Sequence, residues 1–203
     1  MAQTKIGVLG GTFDPIHMAH LVVAEEARVM LSLEKVLFVP TGQPWLKAHR
    51  RVTPAPHRLE MVRRGIVSNP YFEVSTVDVD RPGPTYTVDT IADLQRQWEG
   101  EAAFYFILGM DALLGLPLWK EPARLIEMCH LVVVRRPGWE SFDLEPLEDA
   151  VPGLSRRLTS LAIPLLGISS DSLRERVAQG HPIRYQVPLA VEEYIREHGL
   201  YRS

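Results

Sequence analysis

The stretch Gly10-Gly11-Thr12-Phe13-Asp14-Pro15-Ile16-His17-Met18-Ala19-His20 decides the fold. The apolar run Ile6 to Leu9 before it predicts a strand, and that strand runs into two glycines. A short turn at Asp14-Pro15 and a helix opening near His17 follow. Glycines without Cβ atoms let a phosphate chain approach the backbone closely. A helix start beyond them turns its unpaired N–H groups and positive dipole end on the same spot. With a helix starting near Ile16, His17 and His20 are three apart and share one face of its first turn. Together these features predict an anion site with two imidazoles aimed at it.

Working outward, Leu21, Ala24, Arg28 and Leu31 recur at helical spacing beside Val22 and Val23, predicting a helix over 18–32. Residues 4–9, and Val36-Leu37-Phe38-Val39 closed by Pro40, read as strands apolar on both faces, as in a parallel sheet covered by helices. Strand, helix and strand make a right-handed βαβ unit, and ligands in such sheets gather at the carboxyl ends of strands. The alternation continues with a loop over 40–54, a helix over 56–68, a strand over 72–79 and a helix over 86–98. A buried strand over 103–108 then runs into Gly109-Met110-Asp111, and short helices follow, broken at Pro117 and Pro122. Next come a strand over 131–134, a weakly periodic polar stretch over 138–160 and a last strand over 162–166. Gly167-Ile168-Ser169-Ser170-Asp171 opens a helix to about 178, and a helix over 190–197 closes the chain. With no internal repeat and no linker, the expected architecture is one α/β domain over 1–203. It is a Rossmann-like, doubly wound parallel sheet with helices on both faces.

The 203 residues suffice for one good core, and a net charge of −3 with 46% hydrophobic residues gives no basic surface for wholesale nucleic-acid binding. Cys129 is the only cysteine, which excludes an internal disulfide and a Cys-rich metal site. No apolar run reaches the roughly 20 residues that span a bilayer, and Met1 leads into a strand without a charged leader. A cytoplasmic protein is expected. Nothing marks a self-complementary apolar patch, so the oligomeric state is not read from the sequence.

A lone histidine is more often structural than catalytic, but a pair behind a glycine turn points to phosphate or nucleotide. As a metal pair it lacks a nearby acid, cysteine or third histidine. The glycines match neither the dinucleotide pattern G-x-G-x-x-G nor the P-loop G-x-x-x-x-G-K-[ST]. Ser169-Ser170-Asp171 serves as an ordinary helix cap, but with Arg174 one turn on it also makes a phosphate cradle of hydroxyls, N–H groups and a guanidinium. Taken singly, Trp119 reads as core, Thr85-Tyr86-Thr87 as a helix start and Lys47 as a solvated charge.

In combination these residues resemble one family, the bacterial nicotinate mononucleotide adenylyltransferases, within the nucleotidyltransferase superfamily that shares an H-x-G-H signature. That signature stands here as His17-Met18-Ala19-His20, and the second one, I-S-S-T-x-I-R, as Ile168-Ser169-Ser170-Asp171-Ser172-Leu173-Arg174. Pro40-Thr41-Gly42-Gln43-Pro44, His57-Arg58-Leu59-Glu60-Met61, Pro84-Thr85-Tyr86-Thr87-Val88-Asp89-Thr90, Gly109-Met110-Asp111 with Trp119, and the tail Tyr194-Ile195 through His198-Gly199-Leu200-Tyr201 extend the likeness along the whole chain. The resemblance implies transfer of AMP from ATP to nicotinate mononucleotide, giving the deamido dinucleotide and pyrophosphate without a covalent enzyme intermediate.

By the same resemblance, Gly10, Gly11, Thr12, Phe13, His17 and His20 would bind ATP, with His20 on the α-phosphate. Ile168, Ser169, Ser170 and Arg174 would also bind ATP, with Ser170 and Arg174 on the β- and γ-phosphates, and Gly109 and Asp111 would take the adenosine. Magnesium (Mg2+) would come with the ATP phosphates rather than in a protein cage. For the acceptor, Trp119 would stack on the pyridine ring and Thr85 would receive the nicotinate carboxylate. Lys47 and Arg136 would take its phosphate, with Thr12 and Phe13 at the junction. Ala19 in place of the signature glycine, Asp171 and Leu173 in the second signature, and Pro44-Trp45-Leu46-Lys47 where relatives have Pro-Pro-His-Lys depart from the pattern. Three rivals share parts of it: a transferase acting on another acceptor such as phosphopantetheine, a class I aminoacyl-tRNA synthetase fragment, and a non-catalytic nucleotide sensor. The synthetase reading lacks its lysine-rich loop and a tRNA-binding domain.

Overall fold

The computed structural model describes residues 3–44, 52–135, 143–164 and 166–202. In chain order the elements begin with β1 (Thr4–Gly11), α1 (Met18–Leu31), β2 (Lys35–Pro40), β3 (Gln43–Pro44), α2 (Ala55–Ile66), β4 (Phe72–Val74), α3 (Val77–Asp80), β5 (Pro84–Thr85) and α4 (Thr87–Gln97). They continue with β6 (Ala102–Gly109), α5 (Met110–Leu114), α6 (Pro122–Met128), β7 (His130–Arg135), α7 (Glu145–Ala150), β8 (Leu158–Ala162), α8 (Ser170–Ala178) and α9 (Leu189–Glu197). Single 3-10 turns lie at Leu116–Leu118 and Leu154–Arg156.

Six strands form a sheet in the order β4-β2-β1-β6-β7-β8, and every pairing in it is parallel. The chain winds from β1 outward through β2 to β4, then returns to β6 and winds the other way. The strand order therefore reverses between β1 and β6, and the crevice at the carboxyl ends of those two strands is where such sheets bind ligands. Both faces are covered. Val132 and Val134 pack into one apolar layer with residues of α1, α2 and α9, while Leu131 and Val133 pack into the other with residues of α4 and α6. That two-sided burial explains why the central strands read as continuous apolar runs rather than alternating ones. Ala24 and Ala27, both fully buried on α1, let that helix lie close on the sheet.

Several local readings change. Gly10 and Gly11 are the last residues of β1, paired with Val39 and Pro40 of β2, so they end the strand and do not form the turn. α1 starts at Met18 with His17 as its cap, not near Ile16. The strand expected over 72–79 stops at Val74, and Val77–Asp80 is a helical turn with acids in its first turn, which favours a helix N-terminus. The last strand is Leu158–Ala162 rather than 162–166: it pairs with β7 from Leu131↔Leu158 to Arg135↔Ala162, and Pro164 beyond it has no N–H to extend the ladder. Within the expected 40–54 loop, Gln43–Pro44 pairs in parallel with Pro84–Thr85, forming a separate two-stranded sheet.

Candidate active site

A cleft of ≈ 420 Å³ opens at the switch point between β1 and β6. Its floor is Leu9-Gly10-Gly11 from the end of β1, Thr12 just after it, and Phe106 to Gly109 from β6; His20 also lines it, as do Thr85 and Trp119. Residues far apart in sequence thus meet because parallel strands bring all their carboxyl ends to one edge.

The motif turn is held in a costly conformation. Phe13 is 2% exposed with φ 50°, in the left-handed region that a bulky side chain avoids, a strain of about 1 kcal/mol or more. Its ring meets the edge of His20 at 5.0 Å between centroids, and the His17 and His20 rings stack at 3.7 Å. The His17 N–H donates to His20 Nδ1 at 3.2 Å. In neutral His20 that leaves the ring proton on Nε2. His17 is 5% exposed and its Nδ1 is buried with no hydrogen-bond partner among the described residues. Burial pushes its pKa down to about 4, so the imidazole is neutral at neutral pH.

The helix N-terminus is less open than its sequence suggests. The His17 N–H is used by His20, and the Met18 N–H donates to the Gln186 carbonyl at 2.9 Å, from the segment just before α9. The His20 N–H donates to the His17 carbonyl at 3.0 Å. The glycines also have a second role. A Cβ on Gly10 would lie 3.2 Å from the Phe106 ring, and one on Gly11 would lie 3.1 Å from the Phe13 ring. Both glycines therefore admit aromatic rings as well as leaving backbone open at the cleft. At Gly109 a Cβ would meet nothing within 4 Å.

The second motif joins the first at the turn. The Arg174 Nη1 donates to the Asp14 carbonyl at 2.7 Å, and Ser170 Oγ donates to the Pro15 carbonyl at 2.9 Å. Asp171 pairs with Arg174 at 2.5 Å, so its charge is balanced on its own helix. Ser169 caps α8, its Oγ accepting the Ser172 N–H at 3.2 Å, while Ile168 packs half-buried against the core. The Asp14 carboxylate accepts the Thr53 N–H at 3.1 Å and the Tyr201 hydroxyl at 2.7 Å. Burial, with Asp14 alongside, holds that phenol well above its ordinary pKa.

Across the cleft, Thr85 is 7% exposed and its Oγ1 accepts the Gln43 N–H at 3.3 Å. Its hydroxyl proton is then the one directed to another acceptor. Half-buried Trp119 meets Phe106 edge to face at 6.1 Å. Asp111, in the first turn of α5, is exposed and does not line the cleft. Lys47 and Arg136 lie outside the described residues. Three lining residues carried no signal of their own. Asp78 is buried beneath Thr90 and Arg81, and burial pushes its carboxyl up to about 6. Thr41 donates its N–H to the Gly11 carbonyl at 2.9 Å. Lys120 bonds to Asp89 at 2.9 Å and lies over the Tyr86 ring. Among the described residues no group of three or more His, Cys, Asp or Glu side chains is placed to hold a metal ion. None of their helices is long and apolar enough to cross a membrane.

A doubly wound sheet with a cleft at its switch point, and beside it a histidine turn whose carbonyls are held by a serine–arginine helix start, is the arrangement of a nucleotidyltransferase. In agreement, the cytidylyltransferase-like family model matches residues 8–176. Relatives span the chain from end to end. "Probable nicotinate-nucleotide adenylyltransferase" of Roseiflexus sp. is 50% identical over 100% of both chains, and that of Thermomicrobium roseum is 48% identical over 99% of this chain and 93% of its own. The chain belongs to the nicotinate-nucleotide adenylyltransferase family. In fold it is similar to Plasmodium falciparum nicotinic acid mononucleotide adenylyltransferase complexed with NaAD, with TM-score 0.76, 22% identity, and coverage of 98% of this chain and 97% of that one.

Proposed function

We propose that this protein transfers AMP from ATP to nicotinate mononucleotide, releasing pyrophosphate and forming nicotinate adenine dinucleotide in NAD biosynthesis. The observation that carries the reading is the cleft itself. It has a phosphate-type floor at the strand ends and a separate wall made of a hydroxyl and an indole. A 5′-phosphate oxygen of the acceptor attacks the α-phosphorus of ATP in line. One O–P bond forms, the bond from the α-phosphorus to the bridging oxygen breaks, and pyrophosphate carries away the electron pair. Such a reaction asks the protein mainly for alignment and charge stabilisation.

In this reading Gly10, Gly11, Thr12 and Phe13 shape the phosphate path. His17 offers its buried Nδ1 side, and His20 donates from Nε2 to the α-phosphate oxygen as charge builds there. Arg174, with N–H groups beyond those given to Asp14 and Asp171, receives the β- and γ-phosphates beside Ser169, Ser170 and Ile168. Gly109, in the cleft lining, faces the adenosine, while Asp111, exposed outside that lining, is assigned to the adenosine on the family motif alone. Magnesium accompanies the ATP phosphates as part of the substrate and would supply positive charge there when bound. Thr85 donates to the nicotinate carboxylate, and Trp119 stacks on the pyridine ring. A carboxamide would present its NH₂ to a donor there, which disfavours the amide acceptor. Lys47 and Arg136 are assigned to the acceptor phosphate. The chain acts as one domain, an assignment supported by the bond from Tyr201 near its end to Asp14 near its start. Its place of action is the cytoplasm, where ATP is the adenylyl donor at hand.

The test offers purified protein ATP with nicotinate mononucleotide, its nicotinamide counterpart, or phosphopantetheine, and follows pyrophosphate. Clear preference for the first is expected. Equal or better turnover of another acceptor would overturn the substrate assignment, and absence of pyrophosphate with all three would overturn the enzyme.

A further inference from the structure

Arg58, on α2, is 1% exposed, the largest fully buried side chain among the described residues, yet it has no part in the chemistry above. A guanidinium taken out of water is expensive unless its donors are used. Here they are spent on main-chain carbonyls. Nε donates to Thr53 at 2.8 Å, Nη1 to Thr12 at 2.8 Å and Nη2 to Gly42 at 3.0 Å. Those carbonyls belong to three separate segments. Thr12 is in the histidine turn and lines the cleft floor. Gly42 precedes Gln43–Pro44, which pairs with Pro84–Thr85 on the opposite wall. Thr53 leads into α2, and its N–H is held in turn by Asp14 of the turn.

The Gly42 end is tight. A Cβ there would lie 2.3 Å from the Asp78 carbonyl oxygen and 3.4 Å from Thr85 Oγ1, and the next N–H, of Gln43, donates to that same Thr85 oxygen. One rigid planar fork thus touches the phosphate floor with one arm and, two contacts away, the acceptor wall with another. A leucine or methionine would fill the space without desolvating a charge. An arginine instead pairs three carbonyls in one fixed geometry and sets a positive charge near the buried Asp14 carboxylate. We infer that Arg58 is a positioning residue that sets the separation between the nucleotide half and the acceptor half of the cleft, through Thr12 on one side and Gly42–Gln43–Thr85 on the other.

The inference rests on the acceptor role proposed for Thr85, and the test separates the two. In R58K a point ammonium cannot span three carbonyls. Each half-site stays intact, so binary dissociation constants for an ATP analogue and for nicotinate mononucleotide should stay within about threefold of wild type. Misaligned substrates should lower kcat per folded enzyme by about 10²-fold. A merely structural arginine would lower the melting temperature and the folded fraction but leave kcat per folded molecule unchanged, and that outcome overturns the inference. So does a large loss of binary affinity for one substrate, which would make Arg58 part of a single half-site. If R58K does not fold, R58M, with an apolar chain of similar length, is read by the same quantities, and failure of both to fold also overturns it. Wild type is assayed alongside with all three acceptors. Should it prefer another acceptor, the proposed substrate fails while the Arg58 comparison runs unchanged on the preferred one.

Discussion

His17 should make the stability of the protein fall on acidification by an amount its burial sets. The ring is buried, its Nδ1 has no partner among the described residues, and its pKa is about 4 against an ordinary 6.5. The unfolded chain therefore binds a proton at His17 at higher pH than the native one does. The stability from keeping this ring neutral is fully present above pH 6.5 and is lost progressively as pH falls towards 4. Linkage puts the loss at about 2 kcal/mol between about pH 8 and about pH 5, and about 3 kcal/mol once both states are protonated. For a chain of this length 2 kcal/mol corresponds to roughly 4–8 °C in melting temperature. The comparison is His17→Asn. Asparagine is a favoured residue at a helix cap and has no proton to take up over this range, so the variant should fold, with a pH-independent offset. Urea unfolding at a series of pH values for both proteins cancels the other titrating groups. The wild-type curve should drop below the variant's by about 2 kcal/mol over that interval. Parallel curves would show that His17 titrates normally in the folded protein, and its neutral role at the phosphate site would fall with that.

Three further outcomes follow from the site. His20→Ala should leave the fold intact and reduce kcat by about 10²–10³-fold, the usual loss when one donor to a developing oxyanion is removed, and full activity in a pyrophosphate assay would refute its role. Tyr201→Phe removes a donor from the buried Asp14 carboxylate and should destabilise by about 1.5–3 kcal/mol in urea unfolding, whereas a change under about 0.5 kcal/mol would mean the bond carries no weight. Gly109→Ala adds a methyl group that meets nothing within 4 Å, so the melting temperature should hold while KM for ATP rises; an unchanged KM would remove Gly109 from the adenosine site.

The elements legible from sequence were those whose residues report on themselves. Val36 to Val39 and Leu131 to Val134 are apolar without alternation because helices cover both faces of the sheet, and each appears as a strand with one residue added at either end. The helices at 18–31 and 87–97 showed their periodicity. Misplaced boundaries fall where a partner strand or a cap decides. β8 is an edge strand whose register is set by β7, and the end of β4 is decided by the short helix after it. The two-residue pairing of Gln43–Pro44 with Pro84–Thr85 has no local signature, because its hydrogen bonds join segments about forty residues apart.

The site divides the same way. By itself the sequence determined a histidine pair behind glycines and a serine–arginine helix start, legible because their chemistry is local, while Thr85 and Trp119 stood out only through the family resemblance. Only the tertiary structure decided how many of those groups are already engaged. The α1 N-terminus shares its Met18 N–H with Gln186, Gly10 and Gly11 also make room for aromatic rings, and Arg174 and Ser170 hold the turn by its carbonyls. Arg58 gains its meaning only when Thr12, Gly42 and Thr53 converge on one guanidinium. The reason is physical. A side chain's chemistry is carried by one residue, while its hydrogen-bond partners, burial and charge are set by segments that meet only once the parallel sheet has brought its strand ends to a common edge.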